Sequence, residues 1–155
     1  MELARNLRVE SVSRLRPTRP VCLSPSHSVA EAVAGMRRVR HGCVLVCEEG
    51  RLEGIFTERD LLRRVLAPRQ PLTVPLVRVM TRDPVIVQPT DPIGLAVQRM
   101  REGGYRHLPV VDSDGRPVGI LSVKRIVHYL VEHFPSTIYC LPPDPDVFPL
   151  HREGA

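Results

Sequence analysis

The sequence predicts an α/β (α+β) fold made of two tandem β-α-β-β-α units packed with pseudo-twofold symmetry. Three observations carry this. Pro20-Val21-Cys22-Leu23-Ser24-Pro25 returns as Pro84-Val85-Ile86-Val87-Gln88-Pro89. The apolar stripe Val29, Ala32, Val33, Met36 returns as Ile93, Ala96, Val97, Met100, an offset of 64 (93 − 29). Gly54-Ile55-Phe56-Thr57 returns as Gly119-Ile120-Leu121-Ser122, an offset of 65 (119 − 54), a slip that one extra residue between Met100 and Val110 would absorb. Two copies of this period are too few and too long for a solenoid. A unit of roughly 60 residues buries a marginal core alone, so the copies are expected to pair.

Each element has a local cause. In the first repeat Val21 to Leu23 reads as a short strand. Ser28 and Glu31 form a capping box that opens a helix, and its stripe follows the i, i+3, i+4, i+7 spacing of one buried face. Cys43 to Cys47 is an apolar strand, Glu49-Gly50 a turn, and Leu52 to Phe56 the returning strand. Thr57 opens a second helix with Leu61, Leu62 and Val65 inward. In the second repeat Val85 to Val87 is a strand and Asp91-Pro92 reads as an N-cap followed by Pro at the first helical position. Pro109 to Val111 and Pro117 to Leu121 flank an Asp114-Gly115 turn. Ser122 caps a last helix with Ile126, Val127 and Leu130 inward. The divisions are therefore repeat 1 at 9–67, a linker at 68–75, repeat 2 at 76–132 opened by a short helix over Leu76 to Met80, and a Pro-rich tail at 133–155. From Pro135 on, the tail cannot continue a helix and is expected to be extended, either disordered or laid along a partner.

The chain has 155 residues, 43% of them hydrophobic and 25% charged, the balance of a soluble globular protein. Aromatic residues are 4% and Trp is absent, which leaves no stacking platform for single-stranded nucleic acid. The net charge of +5 comes almost wholly from scattered Arg residues, Lys124 being the single Lys. Without a basic run, solvated surface charge explains it and no nucleic-acid partner is expected. No apolar stretch reaches membrane-spanning length, and the first 14 residues carry no apolar signal core. The four Cys residues (22, 43, 47, 140) make no C-x-x-C pair and no metal pattern with His, so a reducing, cytoplasmic setting with free thiols is expected. Catalytic signatures are absent: no G-x-S-x-G, no phosphate-binding P-loop, no G-x-G-x-x-G. A non-enzyme is expected.

The stretch Gly54-Ile55-Phe56-Thr57-Glu58-Arg59-Asp60-Leu61-Leu62 resembles the signature of the CBS-domain pair, or Bateman module, as it stands in free-standing bacterial regulators. Arg106-His107-Leu108-Pro109-Val110-Val111-Asp112 and Asp83-Pro84-Val85-Ile86-Val87 resemble the same family's central and opening strands. The resemblance covers about residues 9 to 132. It implies an adenosine-containing ligand, AMP, ADP, ATP or S-adenosylmethionine, held between the paired units. It also implies a homodimer that acts on an unidentified regulated protein.

At the first site Thr57 stands where a strand becomes a helix, and free N–H groups there attract phosphate. Asp60 can accept from ribose hydroxyls and Arg59 can pair with phosphate. The opening strand (Thr18, Arg19, Pro20, Val21) and the central strand (Arg40, His41, Gly42, Cys43, Val44) can sandwich a purine. Thr57 with Asp60 also makes a helix cap that needs no ligand, so both readings stand. At the second site Ser122 matches Thr57, but Arg125 replaces the ribose acid and cannot accept a hydrogen bond. With Lys124 it would hold only phosphate, or the site is vestigial. Its remaining walls would be Arg82, Asp83, Pro84 and Val85 with Arg106, His107, Leu108 and Pro109. Arg40-His41 and Arg106-His107 read as matching pairs before the two central strands. A second function class remains: a ligand-independent dimerisation and interaction module that uses the tail as a strap.

Overall fold

Two antiparallel hairpins form the centre of the fold, one from each repeat. The computed structural model describes residues 2–139; the greater part of the tail, with Cys140, lies outside the described residues. A leading helix, α1 (Glu2–Val9), comes first, and a 3-10 turn (Val12–Leu15) opens the first repeat. That repeat runs β1 (Cys22–Leu23), α2 (Val29–Val39), β2 (Cys43–Glu48), β3 (Arg51–Thr57) and α3 (Glu58–Asp60), which passes directly into a π-helical stretch, Leu61–Leu66. The second runs α4 (Leu76–Val79), β4 (Thr81–Arg82), α5 (Ile93–Gly103), β5 (His107–Val111), β6 (Pro117–Ser122) and α6 (Val123–His133), followed by α7 (Pro135–Tyr139). Helices and strands are thus mixed throughout, and two tandem copies of one unit account for most of the chain.

Local chemistry fixes these boundaries. The Ser28 hydroxyl accepts from the Glu31 N–H at 3.3 Å while the Glu31 carboxylate accepts from the Ser28 N–H at 2.7 Å, the reciprocal box that satisfies two free donors at the start of α2. Glu49 and Gly50 both take positive φ (50° and 78°), as a tight hairpin turn requires. In the second hairpin the Asp112 carboxylate accepts from the N–H groups of Asp114 and Arg116 at 2.9 Å each and closes a longer loop. The extra residue of the second repeat lies in this hairpin loop, not between Met100 and Val110. Cys43 pairs with Thr57 and His107 with Ser122, so the central strands keep the offset of 64 (107 − 43) while their partners have reached 65 (122 − 57). His107 therefore takes the place of Cys43, and Arg40-His41 correspond to Gly104-Tyr105. The apparent match of Arg40-His41 to Arg106-His107 is a coincidence of sequence.

The packed units do not coincide with the sequence repeats. Four strands form one sheet in the order β1-β2-β3-β4, so the second repeat's β4 is added to the first repeat's sheet, opposite Gly54 and Ile55. Reciprocally, Thr18 bridges Ile120 on β6. The exchange extends to the cores. Val74, Leu76, Val79 and Met80 are buried with Val29, Ala32, Val44 and Phe56, whereas Val12 and Leu15 are buried with Ile93, Ala96, Leu108 and Leu121. Two further bridges, Ser28 to Pro75 and Ser11 to Pro92, repeat the exchange with the same offset of 64 (75 − 11 and 92 − 28). Each small unit thereby completes its core with the segment that leads into the other, which answers the marginal burial of a half-size domain.

Several expected elements differ. Val85 to Val87 is not a strand: Val87 alone bridges Val110, because Pro109, standing where Leu45 donates to the Val21 carbonyl in the first repeat, has no N–H. Asp91 does not cap α5. Its carboxylate turns back to the Gln88 N–H at 2.8 Å, and Pro92, not Asp91, occupies the cap position. Leu62, Val97 and Val127 face outward at 61%, 37% and 51% exposure. Leu62 in its π-helical stretch and Val127 in a regular α-helix hold equivalent positions and turn outward alike, so the outward turn belongs to the face and not to the kind of helix. The helical stripe at Val97 and Val127 is narrower than the pattern of apolar residues. The tail begins as α7, since Pro135 sits at a first helical position where no N–H is needed. The leading helix α1 was not foreseen; it lies along α5 and adds Leu7 to the second core.

Candidate functional site

The strand β3 ends on Thr57, whose extended backbone (φ −116°) turns the chain into α3. The Thr57 N–H and hydroxyl both donate to Asp60 Oδ2, at 3.0 and 2.9 Å, and the Asp60 N–H donates back to the Thr57 hydroxyl at 3.2 Å. This is the capping arrangement anticipated as the ligand-free alternative. Asp60 is nevertheless the one buried charged residue among those described. Its second oxygen takes two longer contacts, from the Thr81 hydroxyl at 3.3 Å and Arg64 Nε at 3.4 Å. A buried carboxylate is tolerated when hydrogen bonds and a cation surround it, and here both do.

The sheet exchange decides which residues stand together. Thr81 and Arg82 lie beside β3, and the Asp83 N–H donates to the Glu53 carbonyl at 3.1 Å. Thr81 therefore reaches Asp60, while Arg82 and Asp83, expected at the second site, stand opposite Gly54 and Glu53 on the first repeat's returning strand. Thr18, expected with Thr57, instead pairs with Ile120 beside Ser122. Val21 packs into the first core and Cys22 pairs with β2, while Arg19 is exposed and Pro20 half-buried. Cys43 and Val44 are buried, as are Leu108 and Pro109, so these four support the walls from within. The missed residue with most consequence is Thr81. The sequence offered a signal in the repeated Thr-Arg pairs, Thr18-Arg19 and Thr81-Arg82.

Beside this cap lies a cleft of about 510 Å³ walled by Arg37, Arg40, His41, Gly42 and Glu58 with the apolar Val33, Met36 and Leu61. The volume suits a small-molecule ligand. Arg40 ends α2 in the left-handed region (φ 54°, ψ 42°). Thr57 and Asp60 flank the cleft's Glu58 wall along the chain and lie behind the lining residues. The Glu58 N–H donates to the Gly42 carbonyl at 3.0 Å, as the Val123 N–H donates to Arg106 in the second repeat. A Cβ on Gly42 would lie 3.1 Å from Glu58 and 3.3 Å from the His107 ring, so the two central strands approach each other here. Burial pushes His107 below its ordinary value, opposed by the nearby Glu58 carboxylate. Arg59 reaches across to the Gly104 carbonyl at 3.3 Å and so spans both repeats.

At the second site the Ser122 hydroxyl accepts from the Arg125 N–H at 3.2 Å. The Arg125 guanidinium donates to the Arg16 carbonyl at 2.9 Å. This bond is a structural contact between the leading segment and α6, a use that neither sequence reading foresaw. Lys124 and Arg106 are exposed, and Pro84 and Val85 lie at the surface edge.

A family model described as CBS domain matches residues 9–67 and 76–132. The CBS domain-containing protein YhcV of Bacillus subtilis is 30% identical over 115 residues, 74% of this chain and 81% of YhcV. The CBS domain-containing protein CBSCBSPB1 of Arabidopsis thaliana is 36% identical over 124 residues, 78% of this chain, and the chain spans only 23% of that longer relative. Among solved structures, a CBS domain protein from Pyrobaculum aerophilum complexed with AMP superposes with a TM-score of 0.71 at 28% identity, covering 79% of this chain and 99% of that one.

Proposed function

The chain belongs to the CBS-domain family, and from that premise we propose that it is a cytoplasmic adenosine-nucleotide sensor that regulates a partner protein in trans. The observation that carries this is Asp60: a buried carboxylate beside an arginine-lined cleft, with two strong capping bonds and two weak contacts. A ribose hydroxyl can replace the long Thr81 and Arg64 contacts. A phosphate oxygen can take the Thr57 hydroxyl proton from Asp60 and so free Oδ2 for the sugar as well. Arg40 and Arg37 supply the phosphate charge. The AMP complex of the Pyrobaculum relative supports this ligand class. CBS-domain proteins are generally regulatory, which supports a regulatory role here. S-adenosylmethionine, ADP and ATP share the adenosyl group and are the other ligands of the proposal.

A thermal-shift panel with AMP, ADP, ATP, S-adenosylmethionine and GTP tests it, each variant referred to its own ligand-free midpoint. A ligand at about 100 times its Kd stabilises by roughly 2.7 kcal/mol, several degrees for a chain of this length. The expected result is a shift with one or more adenosyl ligands that disappears in Asp60→Ala. No shift with any of them removes the sensor reading and leaves Asp60 as a cap.

The module is further proposed to act as a homodimer. Leu62 and Val127 occupy equivalent positions (127 − 62 = 65) and are both exposed, 61% and 51%, on the two helices that follow the returning strands. Leu66 and Val123 extend the same faces at 51% and 41%. Paired apolar faces on helices suit a second copy. The double substitution Leu62→Glu, Val127→Glu is expected to give a monomer by light scattering with the fold retained by circular dichroism. A dimer unaffected by both charges would place the interface elsewhere. A dimer that forms while the nucleotide panel is silent would favour the ligand-independent interaction module.

A further inference from the structure

We infer that Cys22 and Cys47 form a reversible dithiol–disulfide pair that ties the opening strand to the central hairpin. The argument begins with strand register. β1 runs parallel to β2 with Cys22 opposite Leu45 and Leu23 opposite Val46. Side chains alternate along β2, so Leu45 and Cys47 share one face. The packing agrees: Leu45 and Cys43 are buried with Ile55 and Ile120, Cys47 packs on that cluster, and Val44 and Val46 belong to the opposite core with Leu23. Cys22 therefore lies on the Cys47 side, a diagonal neighbour across the strand pair and near enough that each thiol perturbs the other.

The two thiols are unequally exposed, and that difference sets the direction of reaction. Cys22 is exposed and Cys47 half-buried. The neighbouring Cys47 thiol favours the Cys22 thiolate and lowers its pKa to about 7, while the same neighbour and burial push the Cys47 thiol up. Cys43, buried and beside Glu58, is raised to about 12 and stays inert. A thiolate that is accessible and next to a second thiol is the arrangement of a reactive cysteine with its resolving partner.

With a small disulfide such as oxidised glutathione as the oxidant, the Cys22 thiolate attacks one sulfur, the S–S bond breaks, and one glutathione thiolate leaves. The Cys47 thiol then gives up its proton and attacks the Cys22 sulfur, displacing the second glutathione thiolate. Two electrons pass from the pair to the oxidant, and two glutathione thiols result. The new bond pins β1, a strand of only two residues, to the far end of β2.

The full chain treated with oxidised glutathione, alkylated and measured by intact mass and tryptic mapping tests this. The expected product is the chain less two hydrogens, with the Cys22 peptide joined to the 41–51 peptide, restored by dithiothreitol. Because Cys43 shares that peptide, Cys43→Ala is expected to keep the cross-link, while Cys47→Ser turns the product into a glutathione adduct at Cys22. The proposal is overturned by a stable glutathione adduct at Cys22 in the wild type, by a bridge to Cys43, Cys140 or a second chain, or by thiols that remain alkylatable throughout.

Discussion

Substituting Gly54 with Ala is expected to lower the unfolding midpoint, because the residue lies under the crossing of the two repeats. A Cβ there would meet the Met80 Sδ at 2.7 Å and the Thr81 carbonyl oxygen at 2.8 Å. The Met80 side chain can move, but the Thr81 carbonyl belongs to β4 and holds its register with Ile55. Accommodating the methyl means withdrawing β4 from the sheet edge. Overpacking of this kind costs about 1–3 kcal/mol, and each kcal/mol moves the midpoint by roughly 2–4 °C at this chain length. Withdrawal also carries the Thr81 hydroxyl away from Asp60. The equivalent Gly119 is expected to behave in the same direction, since its Cβ would fall 2.7 Å from Pro17 Cβ on the reciprocal crossing. Thermal and urea denaturation of both variants measures the effect. Midpoints equal to wild type would mean that the crossed segments contribute nothing to the fold.

That crossing marks the boundary of what the chain declares by itself. Elements governed by near neighbours were legible: the Ser28–Glu31 box, the Thr57–Asp60 cap, the Glu49-Gly50 turn and the buried residues Val29, Ala32 and Met36 each follow from contacts within a few positions. The family was legible because the same set of motifs occurs twice. Partnerships over long separations were not. Nothing local to Thr18 says that it will pair with Ile120 rather than stand near Thr57, and nothing local to Thr81 says that it will reach Asp60. A repeat in sequence suggests self-contained units, yet a unit this small gains core by exchanging lead-in segments, so the composition of each site is set by packing. Leu62 and Val127 failed for a related reason. Helical spacing tells which residues share a face, but it does not tell how much of that face the core covers.

Arg40→Gly is expected to raise stability and weaken nucleotide binding, two effects of opposite sign from one residue. Arg40 closes α2 with φ 54° and ψ 42°, a left-handed conformation that costs an L-residue roughly 1–2 kcal/mol. The second repeat meets the same need with Gly104, at φ 65° and ψ 27° and the same offset of 64 (104 − 40). Glycine is the ordinary solution at a helix end of this kind. Part of the gain is lost to the greater freedom of glycine in the unfolded chain, about 0.4–1 kcal/mol, leaving a rise of up to about 6 °C. The first repeat therefore keeps an arginine in a strained conformation at the edge of the cleft, and strain held at a pocket is commonly tied to what the pocket binds. If Arg40 pairs with phosphate, its removal forfeits a charged hydrogen bond of about 1.5–3 kcal/mol, a loss of roughly 10- to 150-fold in affinity. Calorimetric titration with AMP beside a melting curve reads both effects from the same two samples. A more stable variant with unchanged affinity would confine Arg40 to the helix end. A less stable one would show that its side chain holds the fold together despite the backbone cost.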